Sequence, residues 1–268
     1  DTWRTKEESL LSLWEEVRNN DVRITEKLVI DGPFSKEIGS DIFTSNVTDE
    51  VVLCLNYDGK FGLNNINSYF QNANPNGEAI IWQGWRFKKG DKILFNDNSR
   101  FTYLYNNLKG IIVDIEKTDD QIAFTIDVET IITEQQCKSD QIEYIDTIGE
   151  RTRIKLIVYA FDEDEIENEE DAKKTIIPFQ LAYAVSIHKA QGLEYDSVKI
   201  VITNETEERI THNIFYTAIT RTKNKLKIYW SPETEKAVLD RFVQKKYTKD
   251  EGLLSALHSL KMVKSKKG

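Results

Sequence analysis

The chain has 268 residues, 40% of them hydrophobic, which is enough to bury the core of one large domain or of a domain carrying a sizeable insertion. No apolar stretch approaches the roughly 20 residues that span a bilayer, and the opening DTWRTKEESL lacks the basic and apolar regions of a signal peptide, so the chain reads as soluble and cytoplasmic with no membrane partner. A formal charge of −9 argues against holding nucleic acid by bulk electrostatics, and the distant Cys54 and Cys137 suggest neither a disulfide framework nor a metal site.

In chain order, TKEESLLSLWEEVRNND opens with a threonine and, three residues on, a glutamate, as in a capping box. It carries Leu10, Leu13, Trp14 and Val17 at helical spacing. After the turn-rich VIDGPFSKEIGSD, the apolar run EVVLCLNY (Glu50 to Tyr57) predicts a central parallel strand, and DGKFGLNNINSYFQNANPNG predicts a helix. From Trp82 to Asp146 short β-branched segments such as KKGDKILF and IAFTIDVETI alternate with turn residues, which predicts a small antiparallel barrel or meander inserted into the parallel-sheet domain. Its aromatic residues Trp82, Trp85, Tyr103 and Tyr105 suit a small core of its own.

RIKLIVYAF (Arg153 to Phe161) reads as a further strand, after which FDEDEIENEEDAKK concentrates acidity in what is expected to be an exposed, mobile loop. The α/β pattern resumes near Leu181. SPETEKAVLDRFVQKK predicts a helix capped by Ser231 with Pro232 at its first position, and the basic KMVKSKKG reads as a solvated end. The expected division is 1–81 and 151–268 for a parallel-sheet domain, with 82–150 as the insertion.

Two stretches carry most of the chemistry. AYAVSIHKAQGLEYD (Ala182 to Asp196) and NIFYTAITRTKNKL (Asn213 to Leu226) each look like a helix following an extended segment, and SVKIVI and KLKIYW read as the strands after them. Helix, strand, helix, strand at this spacing implies crossovers in a parallel sheet. Gly192 permits close backbone approach to a ligand, Glu194 offers an acceptor for a sugar hydroxyl, and Ser186 and His188 are placed to meet a phosphate backbone. Arg221 is expected on a helix whose Tyr216, Ala218 and Ile219 are packing positions.

Together the two stretches resemble the fifth and sixth motifs of the second RecA-like motor domain of superfamily 1 helicases, with Thr222 where alanine is commoner. The opening TWRTKEESLLSLWEEVRNN is similar to the fourth motif. GDKILFNDNSRFTYLYNNLKGIIVDI (Gly90 to Ile115) resembles the pattern that the RecD-like branch carries before an SH3-like barrel. The resemblance touches most of the chain from Trp3 to Trp230 and is densest in the C-terminal pair.

It implies a RecA-like α/β fold, P-loop NTPase-like but without the P-loop, flanked by helices and holding an inserted SH3-like barrel. It also implies the C-terminal motor domain of an ATP-dependent DNA helicase. Arg221 and Arg4 would be arginine fingers on ATP, with Gln191, Gly192 and Glu194 at the nucleotide and Ser186, His188 and Lys189 along single-stranded DNA. No GxxxxGK[ST] occurs in the sequence, so ATP and Mg2+ are expected mainly on an N-terminal RecA-like domain of the same protein, and the chain by itself is expected not to hydrolyse ATP. Two alternatives stay open: a non-catalytic nucleic-acid-binding or protein-interaction module that kept the motor fold, and a translocase without unwinding. DNA repair follows by association with the RecD-like branch.

Overall fold

The computed structural model describes residues 7–19, 40–43, 49–96, 99–161, 166, 168–205 and 209–242. In chain order the elements begin with α1 (Glu8–Asn19), β1 (Glu50–Cys54), α2 (Leu63–Ala73), β2 (Ile80–Trp82), β3 (Trp85–Phe87) and β4 (Lys92–Phe95). They continue with β5 (Lys109–Lys117), β6 (Gln121–Val128), α3 (Glu134–Ser139), β7 (Glu143–Ile148), β8 (Arg151–Tyr159), α4 (Glu169–Lys174) and β9 (Phe179–Leu181). The last are β10 (Ala184–Ser186), β11 (Tyr195–Val201), α5 (His212–Ile219), β12 (Thr222–Tyr229) and α6 over 232–242. Two compact units result, one drawn from Asp1–Leu63 and Ser186–Gly268, the other Asn64–Val185. Among the described residues no helix is long and apolar enough to cross a membrane.

The first unit is a parallel α/β structure, as the crossover spacing predicts, and of the RecA-like kind that the resemblance implies. β1 lies parallel to β11, and β11 parallel to β12 with α5 as the intervening crossover. Every residue of β1 is buried, as a strand covered on both faces requires. Leu10, Leu13, Trp14 and Val17 of α1 are all buried, matching their helical spacing. His212 of α5 hydrogen-bonds the Val17 carbonyl, and Phe215 stacks on Trp230 at 5.8 Å.

One polar cluster interrupts this core. Lys199 pairs with Glu50 at 3.0 Å on neighbouring strands, the Ser197 hydroxyl donates to the same carboxylate at 2.7 Å, and Lys199 also donates to the Ile42 carbonyl at 3.2 Å. Thr234 N donates to Ser231 Oγ at 3.2 Å, so α6 starts at the predicted cap. The threonine of the expected α1 capping box lies outside the described residues.

The second unit differs from the expected insertion in extent and form. It begins at Asn64 and ends at Val185, wider at both ends than 82–150. Its main sheet has six strands, all paired antiparallel in the order β7-β8-β6-β5-β4-β9, with β7 and β9 at the ends instead of the small SH3-like barrel that was expected. β8, expected in the parallel domain, belongs here between β6 and β7.

The alternation in β8 explains that placement. Thr152, Ile154, Leu156 and Val158 are buried while their neighbours are half-buried, the pattern of a strand with one wet face. Arg153 on that face makes a two-pronged pair with Asp127, 2.6 and 2.9 Å. Below the sheet Phe87, Phe95, Phe124 and Phe179 meet edge to face at 5.0–5.8 Å. Trp82 is buried in this core and Tyr103 packs against it, whereas Trp85 and Tyr105 are exposed.

The acidic run is not wholly loop. Its described part includes α4, where the Asn168 side chain accepts from Glu170 N and Asp171 N, with acids in the first turn and Lys173 and Lys174 in the last. That order complements the helix dipole, which offsets the repulsion that made a loop seem inevitable.

Asp91, fully buried, fixes the start of the sheet. Its carboxylate accepts from Gln71 Nε2 (2.7 Å), Lys88 N (2.8 Å), Tyr183 Oη (2.9 Å) and Asn74 Nδ2 (3.0 Å). Burial, then the adjacent Asp91 charge, push the Tyr183 phenol well above its usual range, so it remains a donor. Asp91→Ala is expected to cost about 3 kcal/mol or more in urea unfolding, because four donors lose a buried charged acceptor. Asp114→Ala removes the exposed pair with Lys89 and a local bond from Ile115 N, and should change stability by about 1 kcal/mol or less.

Both cysteines are buried, and burial pushes the Cys54 thiol up to about 12 and raises that of Cys137. The folded values lie above the unfolded ones, so both thiols stay protonated at pH 8 and the stability they contribute is lost only as pH rises through the folded pKa. Native protein should therefore take up no iodoacetamide at pH 8, and two labels once unfolded in urea.

Candidate functional site

The chain leaves β10 at Ser186, which is buried, and Ile187 N donates to the Cys54 carbonyl at 3.1 Å. Ser186 and His188 therefore stand at the carboxyl end of β1. The Ser186 hydroxyl accepts from Lys189 N at 3.3 Å, and its carbonyl accepts from Ala190 N at 3.0 Å. The helix expected in this stretch is not there: one turn forms, and Gly192 at φ +90° diverts the chain into β11. Five residues between a capping serine and a left-handed glycine are too few for a stable helix. His188, Gln191 and Gly192 are exposed, and Lys189 and Glu194 are half-buried.

The run ends at the opposite edge. Tyr195 N, at the start of β11, donates to the Arg221 carbonyl at 2.9 Å, and Ser197 N donates to the Asp49 carbonyl just before β1. Gly192, Glu194 and Arg221 are thus gathered at the amino ends of the strands, whereas Ser186 and His188 lie at a carboxyl end. Gln191 and Lys189 fall on the run between. Arg4 lies outside the described residues.

Arg221 is not on the helix, as its sequence context led one to expect, but one residue beyond the α5 C-cap Thr220 and immediately before β12. It is 6% exposed. Its Nε donates to the Thr217 carbonyl at 3.0 Å, Nη1 to the Leu193 carbonyl at 3.0 Å, and Nη2 to Thr220 Oγ1 at 3.1 Å. One planar group thereby joins the end of α5 to the run that follows Gly192. Glu194 approaches Lys223 at 3.9 Å, a half-exposed pair worth little to stability.

At the carboxyl ends of β1, β11 and β12 lies a cavity of about 660 Å³, lined by Asn56, Lys60, Phe61, Asn204, Glu205 and Glu233 among others. Its own backbone N–H and the Ser231 hydroxyl hold the Glu233 carboxyl below its usual range. None of these residues stands out in the sequence. The available signal is topological: in open parallel sheets ligands sit outside the carboxyl ends of strands.

Two substitutions separate the roles in the run. Gly192→Ala is expected to cost about 1 kcal/mol for its left-handed φ alone, since a methyl group there meets nothing within 4 Å. Arg221→Lys should cost about 2–4 kcal/mol in urea unfolding, because an ammonium cannot reproduce the three-way fork and leaves buried carbonyls unpaired.

Comparison with known proteins places this geometry. Residues 181–229 match the model of the UvrD-like helicase C-terminal domain. RecD, the RecBCD enzyme subunit, is 32% identical over 59 residues in Mycolicibacterium smegmatis, covering 22% of this chain and 11% of that protein. In Mycobacterium tuberculosis it is 34% identical over 59 residues, 22% of this chain and 10% of that protein. The solved Pif1 helicase from Candida albicans is similar in fold, with TM-score 0.51 at 14% identity over 91% of this chain and 59% of that chain. The matched stretch is about a tenth of the length of the RecD proteins, and the chain covers a little over half of the Pif1 structure. On a parallel sheet of the RecA-like kind, residues 181–229 are thus similar to the C-terminal domain of UvrD-like helicases and to RecD.

Proposed function

We propose that this chain is the C-terminal motor portion of an ATP-dependent DNA helicase, acting on ATP held by a preceding RecA-like domain while gripping single-stranded DNA. The observation that carries the reading is the separation of the motif residues onto two ends of one sheet. Gly192, Glu194 and Arg221 gather at the amino ends, Ser186 and His188 stand at a carboxyl end, and a single run joins them. In this reading Arg221, with Arg4, faces the nucleotide phosphates, Gln191, Gly192 and Glu194 line the nucleotide, and Ser186, His188 and Lys189 follow the strand.

The state of Arg221 suits an arginine that acts on a phosphate brought to it. Two carbonyls and a hydroxyl among its acceptors fix the plane of the guanidinium beforehand, so little reorganisation is needed as charge develops. Among the described residues no group of three His, Cys, Asp or Glu is placed to hold a metal ion, and the sequence has no GxxxxGK[ST] loop. The reading assigns the metal and the phosphate cradle to the preceding domain.

The test uses the full-length protein and the isolated chain side by side. In the full protein Arg221→Ala should lower DNA-stimulated phosphate release by about 10³-fold or more while nucleotide binding persists, the loss seen when an arginine finger is removed. The isolated chain should release no phosphate above background. Turnover by the isolated chain, or an Arg221→Ala protein within tenfold of wild type, would overturn the reading. ATP hydrolysis without strand displacement would instead assign a translocase.

A further inference from the structure

We propose that the β2–β3 hairpin of the second unit is a stacking site for a base of single-stranded nucleic acid, with Trp85 as the platform and Arg86 and Lys117 as the cations that meet the neighbouring phosphates. The proposal rests on the helicase reading above but uses none of its motif residues.

Trp85 is 66% exposed, the most open of the large apolar side chains among the described residues. Folding does not require it there. Trp82, its register partner across the two-residue turn, is 5% exposed and packs into the core with Phe87, so one indole anchors the hairpin and the other is presented. The turn itself is built for a tight reversal, with Gln83 and Gly84 at φ +48° and +81°, as in the turns whose twist matches paired strands. Gln71 Nε2 donates to the Arg86 carbonyl at 2.8 Å, and Lys117 Nζ donates to the Ile81 carbonyl at 2.9 Å while standing 5.7 Å from the Trp82 ring centre. Both strands of the hairpin are therefore pinned from outside it. A platform held this way loses little conformational freedom when a ring stacks on it.

The charges select the occupant. Acidic residues outnumber basic ones across this unit, yet the segment from Ile80 to Lys92 has four basic residues and a single acid, Asp91, whose carboxylate is buried among four donors. Lys88 is buried and Lys89 pairs with Asp114, so neither serves an external ligand. Arg86 and Lys117 differ. The Arg86 guanidinium donates to the amide oxygen of Asn72 at 3.3 Å, and Lys117 to a backbone carbonyl, neutral partners that steady each cation without cancelling it. An open indole on a hairpin that carries Arg86 and is met by Lys117 fits the alternation of base and phosphate along a single strand, where aromatic stacking is tolerant of sequence. A protein partner would be served better by a contiguous apolar face than by one indole flanked by cations.

The experiment measures fluorescence anisotropy of a labelled oligothymidylate with the whole 268-residue chain. Trp85→Ala should raise Kd about tenfold or more, Trp85→Phe should restore most of the affinity, and Arg86→Gln should flatten the salt dependence by about one phosphate contact. Because Trp85 is exposed, circular dichroism and the unfolding midpoint should not change. Wild-type affinity in Trp85→Ala, with His188→Ala weakened, overturns this site and leaves the helicase reading standing. Failure of the wild-type chain to bind the oligonucleotide overturns both. Self-association of the wild-type chain that Trp85→Ala abolishes, seen by sedimentation with oligonucleotide affinity unchanged, assigns the indole to a protein interface and overturns the proposal.

Discussion

The guanidinium of Arg221 is the tie on which the functional half of the parallel sheet depends. A buried arginine cannot shed its charge, so its N–H groups must find acceptors inside the protein, and three of them find the Thr217 and Leu193 carbonyls and the Thr220 hydroxyl. Thr217 supplies one of the last carbonyls of α5, where the helix dipole concentrates negative charge, which makes the spot favourable for a cation. Leu193 lies one residue past the left-handed Gly192. One planar group thus sets the end of a helix, the start of β12 and the course of the preceding run at once, so a conservative exchange to lysine is not conservative here.

Buried polar knots occur in both units, and two of them serve different ends. In the parallel sheet the Glu50–Lys199 pair joins adjacent strands, with Ser197 completing the carboxylate and Ile42 accepting from the ammonium. An ion pair of this kind contributes little net stability against an apolar substitute, but a register slip of one residue would strand both charges in the core, so it penalises misalignment. In the antiparallel unit Asp91 instead collects donors from α2, from the segment before β4 and from Tyr183. It closes a loop of chain where a strand pair alone would leave the entry to the sheet undefined.

Elements governed by local pattern were legible in the sequence. The apolar VVLC and SVKIVI runs mark buried parallel strands, Leu10 to Val17 mark one face of a helix, and Ser231-Pro232 marks a helix start, because in each case the deciding interactions lie within a few residues. Features decided at long range were not. RIKLIVYAF reads equally well as a strand of either unit, and its pairing with β6 and β7 assigns it. HKAQGLEYD has helical composition but lacks the length, and the left-handed state of Gly192 depends on where β11 must begin. The motif residues of the candidate site were visible as residue types. Their separation onto two sheet ends, and the in-unit partners of Arg221, follow from strand direction, which composition does not encode.

Strand direction also limits how loosely those two ends can be joined. A five-residue strand such as β1 is about 16 Å long at roughly 3.3 Å per residue. The run from Ser186 to Glu194 covers that distance with one helical turn, which advances about 6 Å, and four further residues, which reach at most about 13 Å. There is little slack. It is held at one end by Ile187 N on the Cys54 carbonyl and at the other by Arg221 on the Leu193 carbonyl. A long flexible crossover would absorb a displacement of Arg221, whereas a taut one must pass it on to Ser186 and His188. The brevity of the connection, which leaves this stretch with no helix, is therefore the same property that ties the position of Arg221 at one end of the sheet to that of Ser186 and His188 at the other.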